Sequence, residues 1–230
     1  MPLDRRHQNH ASTLAALLLM CLAGSARSQT SADLTLMSEY AARGVALDTR
    51  PALQVRVEHD TAAGWYLGAF ASPVTLGGRS QAQLIAYGGR AQRMTSTLSW
   101  DAGITSSAFT RDGSLNYHEF YAGLALDRAS ARLFYSPAYY GDERSVYLDL
   151  NGAYPLGDRL SLAAHAGLLH LIGEERDAAG NVERLVDLRL ALVADLGDVS
   201  LQAGWQLKGH AYLPGSARAR ALTASASLRF

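Results

Sequence analysis

The sequence predicts an all-β fold, a membrane-spanning antiparallel up-and-down β-barrel of about twelve strands. Three observations lead there. Apolar and polar residues alternate with a period of two through most of the chain, clusters of Gly, Asp, Asn and Ser interrupt the alternation, and a secretory leader precedes it. Among 230 residues, 48% hydrophobic and 18% charged, no window reaches the ~18 unbroken apolar residues that a spanning helix needs. The 21 Lys+Arg balance 21 Asp+Glu without basic blocks, which removes the electrostatic footprint of a nucleic-acid binder. One Cys excludes a disulfide framework and Cys-built metal sites.

The first element is the leader. Arg5 and Arg6 precede the apolar run 14–24, which gives way to small and polar residues through Thr30. Small residues at Ala26 and Ser28 suit a signal peptidase, so residues 1–28 form the expected signal peptide, cut after Ser28 or alternatively after Ala26. The lone Cys21 leaves with it. Residues 29–230 form the expected barrel domain.

The strands follow in order. Leu34 and Leu36 mark the first, Leu53, Val55 and Val57 the second, and Trp65, Leu67 and Ala69 the third. A less regular run at 80–88 is the fourth; Leu98, Trp100, Ala102 and Ile104 give the fifth, and Phe120, Ala122, Leu124 and Leu126 the sixth. The run 131–140 is the seventh, and Val146, Leu148 and Leu150 make the eighth. The ninth alternates from Leu160 to Leu168, the tenth from Leu188 to Ala194, the eleventh from Val199 to Leu207, and the last from Leu222 to Phe230. Turn clusters fall at 60–64, 111–114, 177–181 and 196–198. The clearest runs match the ~9–11 residues of a tilted membrane strand, and closing an even number of them satisfies every backbone group in lipid. A soluble β-sandwich would alternate too. The leader, and a final strand that ends on the aromatic Phe230, favour the barrel.

The segment from Glu39 to Gly44 (EYAARG), followed by Pro51-Ala52-Leu53-Gln54, resembles the opening of the TorF porin family of proteobacteria. Residues 64–72 (GWYLGAFAS), 98–104 (LSWDAGI), 117–124 (YHEFYAGL) and 163–167 (AAHAG) are similar to later segments of that family, in order. Ala42 stands where the family carries an aromatic, and 83–88 (QLIAYG) lacks its acidic residues. The resemblance implies an outer-membrane barrel of porin type.

On the polar face the expected pore-lining residues are Glu39, Arg43, Arg56, Glu58, Glu119, Asp149, Asp187, Arg189 and Lys208. Two readings of them stay open. They form a charged constriction that sets ion preference, or they fill a narrow or plugged interior as ion pairs, such as Arg56 with Glu58 or Asp187 with Arg189. Tyr66, Tyr87, Tyr117, Tyr121, Tyr135, Tyr139, Tyr140, Tyr147 and Tyr154, with Trp65, Trp100 and Trp205, fall near run ends and are expected in interface girdles. His165 lies among alanines with its ring toward the lumen, on the same side as Ser161; His59, His118, His170 and His210 show no metal-ligand spacing. No catalytic, cofactor or metal residues are expected. The reading is therefore a porin of the outer membrane that passes small solutes or ions by diffusion. Its partners are outer-membrane lipid and the barrel-assembly machinery, met through the strand ending at Phe230. The alternatives are a closed barrel with a structural or interaction role and, third, a lipid-modifying enzyme.

Overall fold

The structure, a computed structural model, describes residues 28–141, 143–173, 184–210 and 219–230; the expected signal segment, apart from its last residue Ser28, and the turn cluster at 177–181 lie outside them. Among the described residues there are fourteen strands, twelve of them the alternating runs. They are β1 (Gln29–Met37), β2 (Tyr40–Ala42), β3 (Val45–Asp48), β4 (Ala52–Asp60), β5 (Trp65–Leu76), β6 (Arg79–Arg93), β7 (Leu98–Phe109), β8 (Tyr117–Leu126), β9 (Ala129–Tyr139), β10 (Glu143–Pro155), β11 (Leu160–Ile172), β12 (Arg184–Asp195), β13 (Val199–His210) and β14 (Ala219–Arg229). Twelve of them close in the order β1-β14-β13-β12-β11-β10-β9-β8-β7-β6-β5-β4, every described pairing antiparallel. The remaining two, β2 and β3, pair only with each other.

Closure sets the phase of every side chain. The seam pairs Asp33 with Arg229 and Met37 with Ser225, and β1 runs from Gln29 opposite Asp60 to Met37 opposite Ala52. Across the ring, Leu36 faces Leu53, Ile104 faces Phe120, Leu168 faces Leu148, and Leu190 faces Trp205. All of these large apolar side chains but the half-buried Leu148 are exposed on the outside. A continuous apolar exterior of this kind is unstable in water and suits hydrocarbon. Among the described residues no helix is long and apolar enough to cross a membrane.

The two ends of the barrel differ. At the end where β1 begins and β14 finishes the links are short, at 61–64, 94–97, 127–128, 156–159 and 196–198. At the other end they include 38–51, 110–116, 173–183 and 211–218. We call these the turn end and the loop end. One loop-end link is minimal: Leu76 pairs with Arg79 across Gly77 and Gly78, both with positive φ (56° and 74°), as a two-residue primed turn requires.

The link from β1 to β4 does not extend outward. It folds as the β2–β3 hairpin, whose turn is Arg43-Gly44 with φ of 53° and 80°. Glycine takes this conformation freely, whereas Arg43 does so at a cost of about 1–2 kcal/mol. Gly44 packs 3.1 Å from Leu185 Cβ on β12, measured from where its own Cβ would be, so a larger residue there meets the opposite wall. Leu47 is buried with Val74, Phe109, Tyr117, Tyr139, Tyr147 and Leu169. The barrel thus has a hydrophobic core inside its loop end, built around an inserted hairpin. Period-two reading of residues 38–51 did not reveal this hairpin.

Candidate functional site

The hairpin is held at two places. At its tip, both guanidinium nitrogens of Arg43 bind the Glu119 carboxylate, with Nη2 2.7 Å from Oε2. The same guanidinium lies 5.0 Å from the ring centre of Phe134, 5.6 Å from Tyr139 and 4.7 Å from Tyr147. Glu119 is only 3% exposed. A bidentate pair ringed by aromatic faces combines the strongest side-chain hydrogen bond with cation–π attraction. Near the hairpin's exit, Arg50 donates from its backbone N and Nε to Asp48 Oδ1, at 3.0 and 3.1 Å, and from Nη2 to Thr75 Oγ1 at 2.7 Å. The Arg50 hydrogen bonds pull the Asp48 carboxyl from its ordinary 3.8 down to about 2, so it stays ionised at any physiological pH.

Among the described residues, three spaces lie around the hairpin and along the interior. A central cavity of about 610 Å³ lies beneath it, walled by side chains that include Arg56, Glu58, Tyr66, Tyr87, Asp101 and Arg132. A cleft of about 650 Å³ opens toward the loop end. Tyr139 and Tyr140 border both, their ring centres 4.7 Å apart, and so form a wall between them. A third space of about 350 Å³ opens at the turn end. Arg189 lines it and the central cavity alike.

The walls carry ordered polar networks. Tyr66 donates to Asp101 Oδ2 at 3.2 Å and lies 2.6 Å from the Tyr121 hydroxyl; Arg132 Nη2 is 2.7 Å from Asp101 Oδ2. Tyr87 donates to Glu58 Oε2 at 2.6 Å. His165 meets Asp187 through Nε2, and Asn151 Oδ1 and Asp149 Oδ1 through Nδ1 at 2.9 and 3.2 Å. A ring with a proton on each nitrogen donates to both sides of that network. Gly167 lies between Tyr147 and Asp187, and an added Cβ would collide with the Asp187 carboxylate and the Tyr147 hydroxyl.

A family model described as "Bacterial protein of unknown function (Gcw_chp)" matches residues 23–226. The chain belongs to that family. No curated protein matches it. Among solved structures, the KdgM porin is 12% identical with a TM-score of 0.55, covering 87% of this chain and 99% of that one. The NanC porin is also 12% identical with a TM-score of 0.55, over 86% and 97%. At such identities the likeness is one of fold, the closed antiparallel barrel of this Gcw_chp chain.

The residues singled out from sequence are distributed unevenly. Arg56, Glu58 and Glu119 line the central cavity, as does Arg189, while Asp149 and Asp187 join the His165 network. Arg43 reaches the interior from the hairpin tip instead of a wall strand. Glu39 lies half-buried between β1 and β2. Lys208 sits opposite Asp187 in the register, and its side chain lies outside what is described. The pairs expected two residues apart, Arg56 with Glu58 and Asp187 with Arg189, do not form. At ~3.3 Å per residue, same-face neighbours on one strand stand ~7 Å apart, and partners across strands are nearer.

The girdle expectation needs correction. Trp65, Tyr135, Tyr154 and Trp205 are exposed outside, and Trp100 pairs with outward Leu124. Tyr66, Tyr87, Tyr117, Tyr121, Tyr139, Tyr140 and Tyr147 face inward and build the lumen's core and networks. Nearness to a strand end did not decide their side; phase did, since Tyr66 directly follows outward Trp65. The same phase identifies Asp101 and Arg132, absent from the expected set, because each is flanked by residues of the outward face.

Proposed function

We propose that the protein is an outer-membrane channel of porin type, passing small solutes by diffusion through a lumen narrowed by the β2–β3 hairpin. The observation that carries this reading is the pairing of an apolar exterior with a polar, charged interior that keeps open space on both sides of the hairpin. The TorF resemblance and the fold shared with the KdgM and NanC porins support it. Arg56 and Arg189 are the wall charges assigned to ion preference, Glu119 and Arg43 fix the constriction, and the turn end faces the periplasm, as short links do in such barrels. The final strand ending at Phe230, whose N–H donates to Ala32 O at 2.9 Å, is the segment assigned to the assembly machinery. A closed structural barrel is the second reading, favoured by the packed core around Leu47.

Current across a planar bilayer tests the proposal. Discrete steps with anion preference are expected, and Arg56→Ser moves the reversal potential toward cations. A protein that inserts and passes no current supports the closed barrel instead. The membrane assignment has its own test. Leu190→Arg, in the middle of β12 on the outer face, is expected to cost about 2–4 kcal/mol in refolding into vesicles, whereas Gln202→Arg on the turn-end chamber costs far less. Equal costs would remove lipid from the outer face.

A further inference from the structure

The central cavity is lined by four arginines and four carboxylates, yet two of its guanidiniums are left without an acceptor. Glu119 is paired with Arg43 and Asp101 with Arg132, while Glu58 accepts from the neutral Tyr87 hydroxyl and keeps its charge. Asp60 is exposed at the last residue of β4. Among the described residues, Arg56 and Arg189 make no hydrogen bond or ion pair, although both line this cavity. Arg189 Nε is moreover buried without any acceptor. A buried donor left unmade is costly, and more so on a charged group, so native proteins supply the acceptor from side chain, water or ion.

The placement of the two guanidiniums narrows what that acceptor is. Arg56 on β4 and Arg189 on β12 stand four strands apart around the ring, reached through β1, β14 and β13. The hairpin covers the space between, and its Tyr40 and Arg43 line the same cavity as Arg56 and Arg189. Each of these planar cations keeps an unused N–H fork that matches a carboxylate or phosphate oxygen pair; it repels a cation and gains little from a neutral solute. The space, about 610 Å³, is that of a small-molecule pocket. Because Arg189 also lines the turn-end chamber, it touches whatever passes between the two.

We propose that Arg56 and Arg189 form an oxyanion-binding site in the central cavity, taking a small solute that bears a carboxylate or phosphate group. This rests on the lumen being a solute path, yet its test needs no conductance. The full barrel, refolded in zwitterionic detergent and free of phosphate and carboxylate buffers, is titrated with inorganic phosphate in a calorimeter. Saturable one-site heat is expected, with affinity falling roughly tenfold or more in Arg56→Gln and in Arg189→Gln, the loss of one charge-assisted contact. Arg189→Lys, which keeps the charge without the fork, falls between. Heat-modifiable gel mobility reports that each variant is folded. Absence of saturable heat, or equal affinity in the Gln variants, overturns the site. A barrel that binds phosphate but passes no current keeps the site and overturns the channel; one that conducts without binding does the reverse.

Discussion

Removing the β2–β3 hairpin is expected to raise the unit conductance severalfold while leaving the barrel able to fold and insert. Both halves of that expectation come from the register. β1 pairs with β4 directly, ending at Met37 opposite Ala52, and of the residues between them Ser38 alone is seen to bond a barrel strand's backbone, its N–H donating to Ala224 O at 2.9 Å, so the hairpin proper adds nothing to the ladder. A four-residue Gly/Ser turn in place of 38–51 can join these neighbours as an ordinary antiparallel link. What is lost is inside: Leu47 leaves its place among Val74, Phe109, Tyr117, Tyr139, Tyr147 and Leu169, and Arg43 leaves Glu119. The central cavity and the loop-end cleft then join where the hairpin stood. A twelve-stranded barrel lies between eight-stranded barrels filled by side chains and the open channels of sixteen or more, so its bore depends on what is inserted. Exposing the apolar wall lowers stability, which heat-modifiable mobility would register as an earlier transition. Single-channel recording is the deciding measurement. Unchanged conductance in the deletion would mean that the hairpin does not stand in the ion path; loss of insertion would mean that it is needed for assembly.

The same hairpin marks where sequence reading stops. Each barrel strand was legible because its two environments, outside and inside, imprint an alternation that a one-dimensional pattern keeps. Residues 40–48 are different. Their strands are three and four residues long, too short to establish a period, and their turn is Arg43-Gly44 instead of the Asn-Gly or Asp-Gly that announces a primed turn. One clue was available. Ala41, Ala42, Val45, Ala46 and Leu47 make an apolar run in a link that should have met water. What docks it is non-local: Glu119 stands 76 residues from Arg43. The inward tyrosines were within reach, since strict alternation from Trp65 assigns Tyr66 to the lumen, and from Trp100 assigns Asp101. The cross-strand pairings of Arg132 with Asp101, and of His165 with Asp149 and Asp187, needed the register.

Glu119→Gln is expected to release the hairpin tip without removing its core. The substitution keeps the size of the side chain and leaves the Arg43 guanidinium enclosed by Phe134, Tyr139 and Tyr147 with no counter-charge. Leaving one member of a buried pair alone costs about 3–5 kcal/mol, far more than the pair contributes relative to a neutral replacement. The hairpin can avoid much of that cost by withdrawing Arg43 toward the water of the central cavity, because Leu47, Asp48 and Arg50 still hold its other end. The expected signature is therefore a lower unfolding temperature together with current that flickers between two levels. Arg43→Gln alone leaves the Glu119 carboxylate buried and should destabilise comparably. The double variant Arg43→Gln/Glu119→Gln removes both charges and should recover most of the loss, with a coupling energy well beyond the ~1 kcal/mol of an exposed pair. Additive losses in that cycle would show that the two side chains act independently and that the hairpin is held by its apolar residues alone. Flicker in both single variants and a steady level in the double one would identify the buried charge, and not the missing contact, as what drives the tip from its seat.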